Sequence, residues 1–380
     1  MLDFVQEIFP ELKPVEVELR PSAVSLNSIN GFLRLEDGRR LFFKTHVEPD
    51  SVINEYYNST LLAEVGYPIY QPLYASTEYG KQFLVYELVE SPLLFDVVNM
   101  IESHRDSAAS AEIDSLTAEQ HAVDEKLWGI YDSTLTWQSA VKAAKAPVHQ
   151  LFSHRLDKRY QDFYVGQSYA LPGLTLDWDD LLQRRWQVNG VEYQQTLAEA
   201  IGEARTVLRD ATEGWSVVGH GDAHNGNLFR TNEGLIYFDP AFAGRHHPLL
   251  DLAKPLFHNV FATWMYHPDR VAQSLQIDCS DDGRTLRVEH NYQPSAIREM
   301  FWQSKVESVL TPLVRRLEDP NWQRMLKLAL MCCPLLTMNL ADRSRFSPEV
   351  GLLGLCYVVE TGMTSTSIRQ SRIDRALNAI

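Results

Sequence analysis

The chain has 380 residues, 45% hydrophobic and 11% aromatic, too many for one simple core and suited to two unequal lobes. Its 35 basic and 50 acidic residues give a formal charge of −15, which argues against nucleic acid or an anionic membrane as partner, since both demand basic surface. The same balance favours a cationic small molecule, although solubility alone accounts for most of it. No stretch approaches the roughly 20 apolar residues of a membrane helix. The opening residues, Met1 to Glu7, are acidic where a secretory leader is basic, and the four cysteines form no CxxC pair. A cytoplasmic location is the expectation.

The first ninety residues read mostly as strands. Phe32–Leu35 and Arg40–Lys44 flank Asp37-Gly38, a turn signature of a β-hairpin. A helix follows Pro49, capped by Asp50 or Ser51, with Ile53, Tyr56, Tyr57, Thr60 and Leu61 at helical spacing until Gly66-Tyr67-Pro68. Phe83–Leu88 reads as another strand. From Pro92 onward the chain reads as helical: an exposed helix over 110–131, and helices around 194–213, 249–264, 295–318, 320–341 and 347–362. Two apolar strand-like runs interrupt them. Trp215–Val218 leads into His220, and Gly234–Phe238 leads into Asp239.

Between those runs lies His220-Gly221-Asp222-Ala223-His224-Asn225-Gly226-Asn227. Phosphoryl transfer needs a carboxylate to orient or deprotonate the attacking hydroxyl, and oxygen ligands to hold a cation against nucleotide phosphates. Asp222 suits the first role. Asn227 and Asp239 suit the second, as hard oxygen donors of the kind Mg²⁺ prefers.

This His-Gly-Asp-x-His-x-x-Asn segment, followed by a strand, Asp239 and Pro248-Leu249-Leu250-Asp251-Leu252-Ala253, resembles the aminoglycoside phosphotransferase and choline kinase group of the protein-kinase-like superfamily. The resemblance spans roughly residues 20 to 260. It implies an α+β, protein-kinase-like bilobal fold, with a small β-rich nucleotide-binding lobe (1–90) and a larger helical catalytic lobe (91–380). The reaction it implies is transfer of the γ-phosphate of ATP, with GTP as the alternative nucleotide, to a hydroxyl of an aminoglycoside-like compound, amino alcohol or sugar. Asp222 would be the catalytic base, with Asn227 and Asp239 on Mg²⁺. Asp251 would brace the loop, with His220 as its packed scaffold. Lys44 would pair with the phosphates and be pinned by Glu55, and the chain from Tyr86 to Val89, including Glu87, would hold adenine. Ser28, in a segment with the single glycine Gly31, would help cradle phosphate.

Other readings stand beside this one. A kinase of protein or peptide side chains would show a shallow, open acceptor surface. A non-catalytic nucleotide-binding partner protein would usually have lost Asp222, Asn227 or Asp239. A zinc site at His220 and His224 lacks the helix face and intervening Glu that such ligands want. The acidic clusters Asp177/Asp179/Asp180 and Asp278/Asp281/Asp282, and aromatics such as Trp137, Trp178 and Trp186, can attract or cage a cation, or serve only as solvated loops and core.

Overall fold

A computed structural model describes residues 1–20, 28–46, 55–76, 78, 80–103, 107–366 and 368–380. The first part is an antiparallel sheet. Its strands β1 (Pro14–Leu19), β2 (Ser28–Leu35), β3 (Arg40–His46), β4 (Tyr74–Ser76) and β5 (Phe83–Glu87) lie in the order β1-β2-β3-β5-β4. Alternation assigns its two faces. Leu33, Leu35, Leu41, Phe43, Phe83 and Val85 pack with Val5 of the first helix, α1 (Leu2–Ile8), and with Phe9 and Leu12. Phe42, Leu84 and Tyr86 point the other way, toward Tyr70. Lys44, two residues beyond Phe42, shares that second face. The turn at Asp37-Gly38 is as expected, with Gly38 at φ +86°. Gly31 has a packing reason to be glycine. Any Cβ there would stand 2.1 Å from the Glu18 carbonyl oxygen and 2.8 Å from the Phe43 ring.

Helix α2 (Glu55–Glu64) follows, and its expected caps fall outside the described residues. The chain then pairs with the second part of the molecule. Tyr70 N–H donates to the Tyr237 carbonyl and Tyr237 N–H to that of Pro68, each at 2.7 Å.

The helical part is built on α3 (Leu94–Ser103), α4 (Ser107–Thr134), α5 (Pro147–His154), α6 (Leu197–Leu208), α7 (Pro248–His258), α8 (Ala296–Lys305), α9 (Trp322–Leu336) and α10 (Pro348–Gly362). Local chemistry sets their starts. Thr196 and Glu199 form a capping box for α6, and Ser347 caps α10 with Pro348 in the first turn. Two expectations need correction. Helix α4 is not an exposed helix, because Leu116, Val123, Leu127, Ile130 and Tyr131 are buried along one face. The region after Pro92 also holds more sheet than expected. A hairpin joins β7 (Ser168–Leu171) to β8 (Leu174–Asp177). Strands β9 (Arg185–Val188), β10 (Val191–Glu192), β15 (Ile277–Asp281) and β16 (Thr285–His290) form a sheet ordered β10-β9-β16-β15. These strands are short, and each buries only alternate residues, such as Trp186 and Val188 or Leu286 and Val288. Among the described residues no helix is long and apolar enough to cross a membrane.

Gly31→Ala should destabilise the first sheet by about 1–3 kcal/mol, the usual cost of overpacking. Urea unfolding followed by tryptophan and far-UV signals measures it, and an unchanged midpoint would mean that β1 and β2 are not held this close.

Candidate active site

Strand β11 (Gly214–Gly219) is the centre of a small sheet, between β6 (Thr136–Gln138) and β14 (Gly244–His246). It delivers the loop His220–Asn227, and Asp251 determines the shape of that loop. A Cβ on Gly219 would fall 2.3 Å from the Asp251 carboxylate. Gly221, at φ +77°, would collide with the Phe242 carbonyl oxygen at 2.2 Å. Into this space Asp251 Oδ1 accepts the Gly221 N–H at 2.7 Å, while the Tyr131 hydroxyl of α4 donates to Oδ2. His220 is fully buried, with Nε2 3.0 Å from the Phe238 carbonyl oxygen and Nδ1 accepting the Asp222 N–H at 3.3 Å. Those two bonds fit a neutral ring, and burial depresses its pKa. They join the loop to the strand that carries Asp239.

A hairpin places the other two oxygen donors. In β12 (Leu228–Thr231) and β13 (Gly234–Tyr237), Leu228 lies opposite Tyr237. One step outward, the Phe238 N–H donates to the Asn227 carbonyl at 3.0 Å, so Asp239 emerges beside Asn227. Asn227 Nδ2 donates to the Asp222 carbonyl oxygen at 2.9 Å, leaving its own side-chain oxygen for a ligand. Asp239 adopts the left-handed conformation at φ +56°, which aspartate tolerates better than most residues. Pro240 fits a turn here: its carbonyl accepts the Ala243 N–H at 3.0 Å and Asn58 Nδ2 of α2 at 2.9 Å.

Two lysines meet the two aspartates. Lys44 Nζ of β3 reaches Asp239 Oδ1 at 2.8 Å, across from the first sheet. Lys254 Nζ of α7 lies 2.9 Å from Asp222 Oδ1, and His224 Nε2 lies 3.4 Å from the same atom. Burial alone would raise both carboxyl groups. The Lys254 ammonium and the His224 ring override it at Asp222 and hold that group well below the usual carboxylate range. Lys44 does the same for Asp239. Burial pulls Lys254 itself down against the pull of Asp222. His224 Nδ1 accepts the Gly226 N–H at 3.0 Å, and burial lowers its pKa too.

The structure therefore brings together Asp222, Asn227, Asp239, Lys44, His220 and Asp251. Glu87 ends β5 and is exposed, and Val89 is half-buried just beyond it. Glu55 opens α2 and Ser28 opens β2, but both side chains lie outside the described residues, as do residues 21–27. Of the acidic clusters, Asp177, Asp179, Asp180 and Asp278 are exposed, and the other two carboxylates are engaged internally. Asp281 binds Arg184 at 2.9 Å, and Asp282 binds Arg287 at 2.7 Å together with the N–H groups of Arg284 and Thr285. Trp178 and Trp186 are each 1% exposed and belong to the core.

The profile of the phosphotransferase enzyme family matches residues 23–278. The chain belongs to that family. Its members transfer phosphate to an alcohol group, and so the protein is a phosphotransferase. The kinase-like fold agrees with solved structures of low identity. An ethanolamine kinase from Plasmodium vivax aligns at TM-score 0.50 and 12% identity, covering 93% of this chain and 86% of that one. Amicoumacin kinase, in complex with AMP-PNP and Ca²⁺, aligns at 0.50 and 14%, covering 95% and 92%. A thermostable mutant of an aminoglycoside phosphotransferase, with AMP-PNP and hygromycin B, aligns at 0.51 and 11%, covering 95% and 98%. No curated protein matches the chain in sequence.

Sequence reasoning missed Lys254. A signal existed: Asp251, Lys254 and His258 recur at intervals of three and four in a helix whose every residue is buried. Such a polar stripe on one face of an otherwise apolar helix points at something that needs charge.

Asp251→Ala should strand the Gly221 N–H and the Tyr131 hydroxyl, each unsatisfied buried donor costing about 1–3 kcal/mol, for a loss of about 2–6 kcal/mol in urea unfolding. A loss under about 1 kcal/mol would show that the loop does not hang on this carboxylate.

Proposed function

We propose that the protein transfers the γ-phosphoryl group of ATP to a hydroxyl of a small molecule, in a cleft between a nucleotide-binding lobe (1–90) and a catalytic lobe (91–380). The observation that carries this reading is the Lys44–Asp239 pair at 2.8 Å, which joins the two parts of the chain beside Asp222 and Asn227. Catalysis rests on positioning and charge neutralisation. The acceptor oxygen forms a bond to the γ-phosphorus as the bond to the β,γ-bridging oxygen breaks, and ADP leaves with that electron pair. Asp222 orients the hydroxyl and takes its proton. Lys44 meets the phosphates, and the backbone near Glu87 and Val89 receives adenine.

Among the described residues no group of three His, Cys, Asp or Glu side chains is placed to hold a metal alone. The oxygens of Asn227 and Asp239 suit Mg²⁺ nonetheless, since that ion keeps waters and phosphate oxygens as its remaining ligands. When bound it would neutralise charge on the phosphates.

Calorimetry with Mg-ADP should show binding in wild type and clearly weaker binding in Asp239→Ala. An affinity and magnesium dependence untouched by this change would remove Asp239 from the ligand set. Asp222→Asn should lower turnover about 10²–10⁴-fold while ADP affinity stays within a few fold. Wild-type turnover, or joint loss of nucleotide binding, would contradict the assignment. The pH profile adds a third check. A carboxyl held this low stays ionised at and above its ordinary range, so kcat/KM should show no acid limb from Asp222 between pH 8 and pH 5. A limb near pH 6 that vanishes in Asp222→Asn would refute this.

A further inference from the structure

Trp137, to which the phosphotransferase reading gives no role, stands 56% exposed on β6. Its partner across the sheet is Trp215 of β11, and the two indoles meet edge to face with centroids 5.5 Å apart. Both line a cavity of about 410 Å³, within the range of sites that take small organic molecules. The buried side chains of Leu208, Leu250 and Leu317 give it an apolar lining. Apolar groups also gather at its opening. Val207 is 38% exposed there, and Val141 is 69% exposed on the short helix Ala140–Ala143, whose last residue lines the cavity.

The charge around this cavity is of one sign. Glu213 lies just before β11, and Glu318 and Asp319 follow the helix Thr311–Leu317. Asp210 also lines it but is engaged by Arg209 at 3.2 Å. Among the described residues no lysine or arginine lines the cavity, and its two histidines are neutral. His247 Nδ1 accepts the Leu249 N–H at 3.3 Å, and burial pushes that ring down to about 4. Burial lowers His149 as well, whose Nε2 is 3.1 Å from the Arg209 carbonyl oxygen. The place is also separate from the candidate active site. Gly214 and Trp215 open β11, and five residues of extended chain, roughly 16 Å, part Gly214 from Gly219 at the other end.

The geometry points to a second ligand site here, for a small organic cation that carries an ammonium group on an apolar body. The ammonium lies against the Trp137 and Trp215 rings, among Glu213, Glu318 and Asp319, and the apolar body lies against the three leucines. Apolar walls alone would accept any apolar group of this size. Indole rings attract a cation, and a rim of carboxylates without a basic side chain rejects an anion, so charge selects the occupant. This site does not depend on the phosphotransferase reading, because it uses none of the residues around Asp222.

The test is calorimetry on the full chain with benzyltrimethylammonium, benzyl alcohol and benzoate, which share a ring and differ in charge. The cation should bind, and the other two should bind about tenfold more weakly or not at all. Trp137→Ala should weaken cation binding about 5- to 30-fold, the worth of one cation–π contact. The double variant Glu213→Gln/Glu318→Gln should weaken it about 3- to 10-fold, and Asp222→Asn should leave it unchanged. A cation that binds no better than benzyl alcohol or benzoate overturns the inference. So does binding lost in Asp222→Asn but kept in Trp137→Ala, which would put the cation at Asp222. Sedimentation equilibrium covers the remaining occupant: a dimer that Trp137→Ala dissociates would make this face a contact between two copies and overturn the inference too. If Trp137→Ala does not fold, Trp137→Phe and the double variant of exposed carboxylates still decide.

Discussion

A carboxylate buried in the helical part of the molecule holds the loop His220–Asn227 in shape. Asp251 occupies the space where side chains on residue 219 would be, accepts the Gly221 N–H, and is itself gripped by Tyr131 from a helix more than a hundred residues earlier. The loop can follow this path only because Gly219 and Gly221 lack a Cβ, and Gly221 then turns through a positive φ just before Asp222. Each part needs the others. An isolated carboxylate at 3% exposure would be costly, and its two short-range donors make it tolerable. His220 extends the same network to Phe238, so one buried set of bonds positions both Asp222 and the strand that ends in Asp239.

On this frame sit two lysine–aspartate pairs with different consequences. Lys254–Asp222 lies wholly within the helical part of the molecule, its lysine almost fully buried, so the pair is a fixed part of the candidate site. Lys44–Asp239 bridges the sheet and the hairpin, with Asp239 36% exposed. A polyphosphate offers Lys44 a stronger partner, and a divalent cation offers Asp239 one. Charges that neutralise each other in the free protein can thus be redistributed to a ligand with little net desolvation, which is the electrostatic meaning of a prepared site.

The loop His220–Asn227 was legible because its chemistry is compressed into eight consecutive residues and two flanking apolar strands. The hairpin Phe32–Lys44, α2 and the later helices were legible from turn residues and period. Helix α4 read as exposed because its sequence is rich in Ala and Glu, and the burial of one face is imposed by the helices packed on it. The sheet β10-β9-β16-β15 was hidden for a related reason. Its strands are two to six residues long and its parallel β9–β16 pair joins segments about a hundred residues apart, so no local window contains the pairing. Lys254 was missed because a lysine in a helix is ordinarily a surface residue, and the polar stripe it shares with Asp251 and His258 does not by itself say what that face meets.

The local field and the net charge therefore carry different information. A total of −15 describes a surface on which acids outnumber bases, and those acids serve solubility and pair with nearby arginines such as Arg184 and Arg287. Beside Asp222 the nearest charge is of the opposite sign, the buried Lys254 ammonium at 2.9 Å. Surface charge is screened within about 10 Å at ordinary salt, while buried groups are screened far less. A group at Asp222 consequently feels the buried Lys254 ammonium more strongly than the acidic surface.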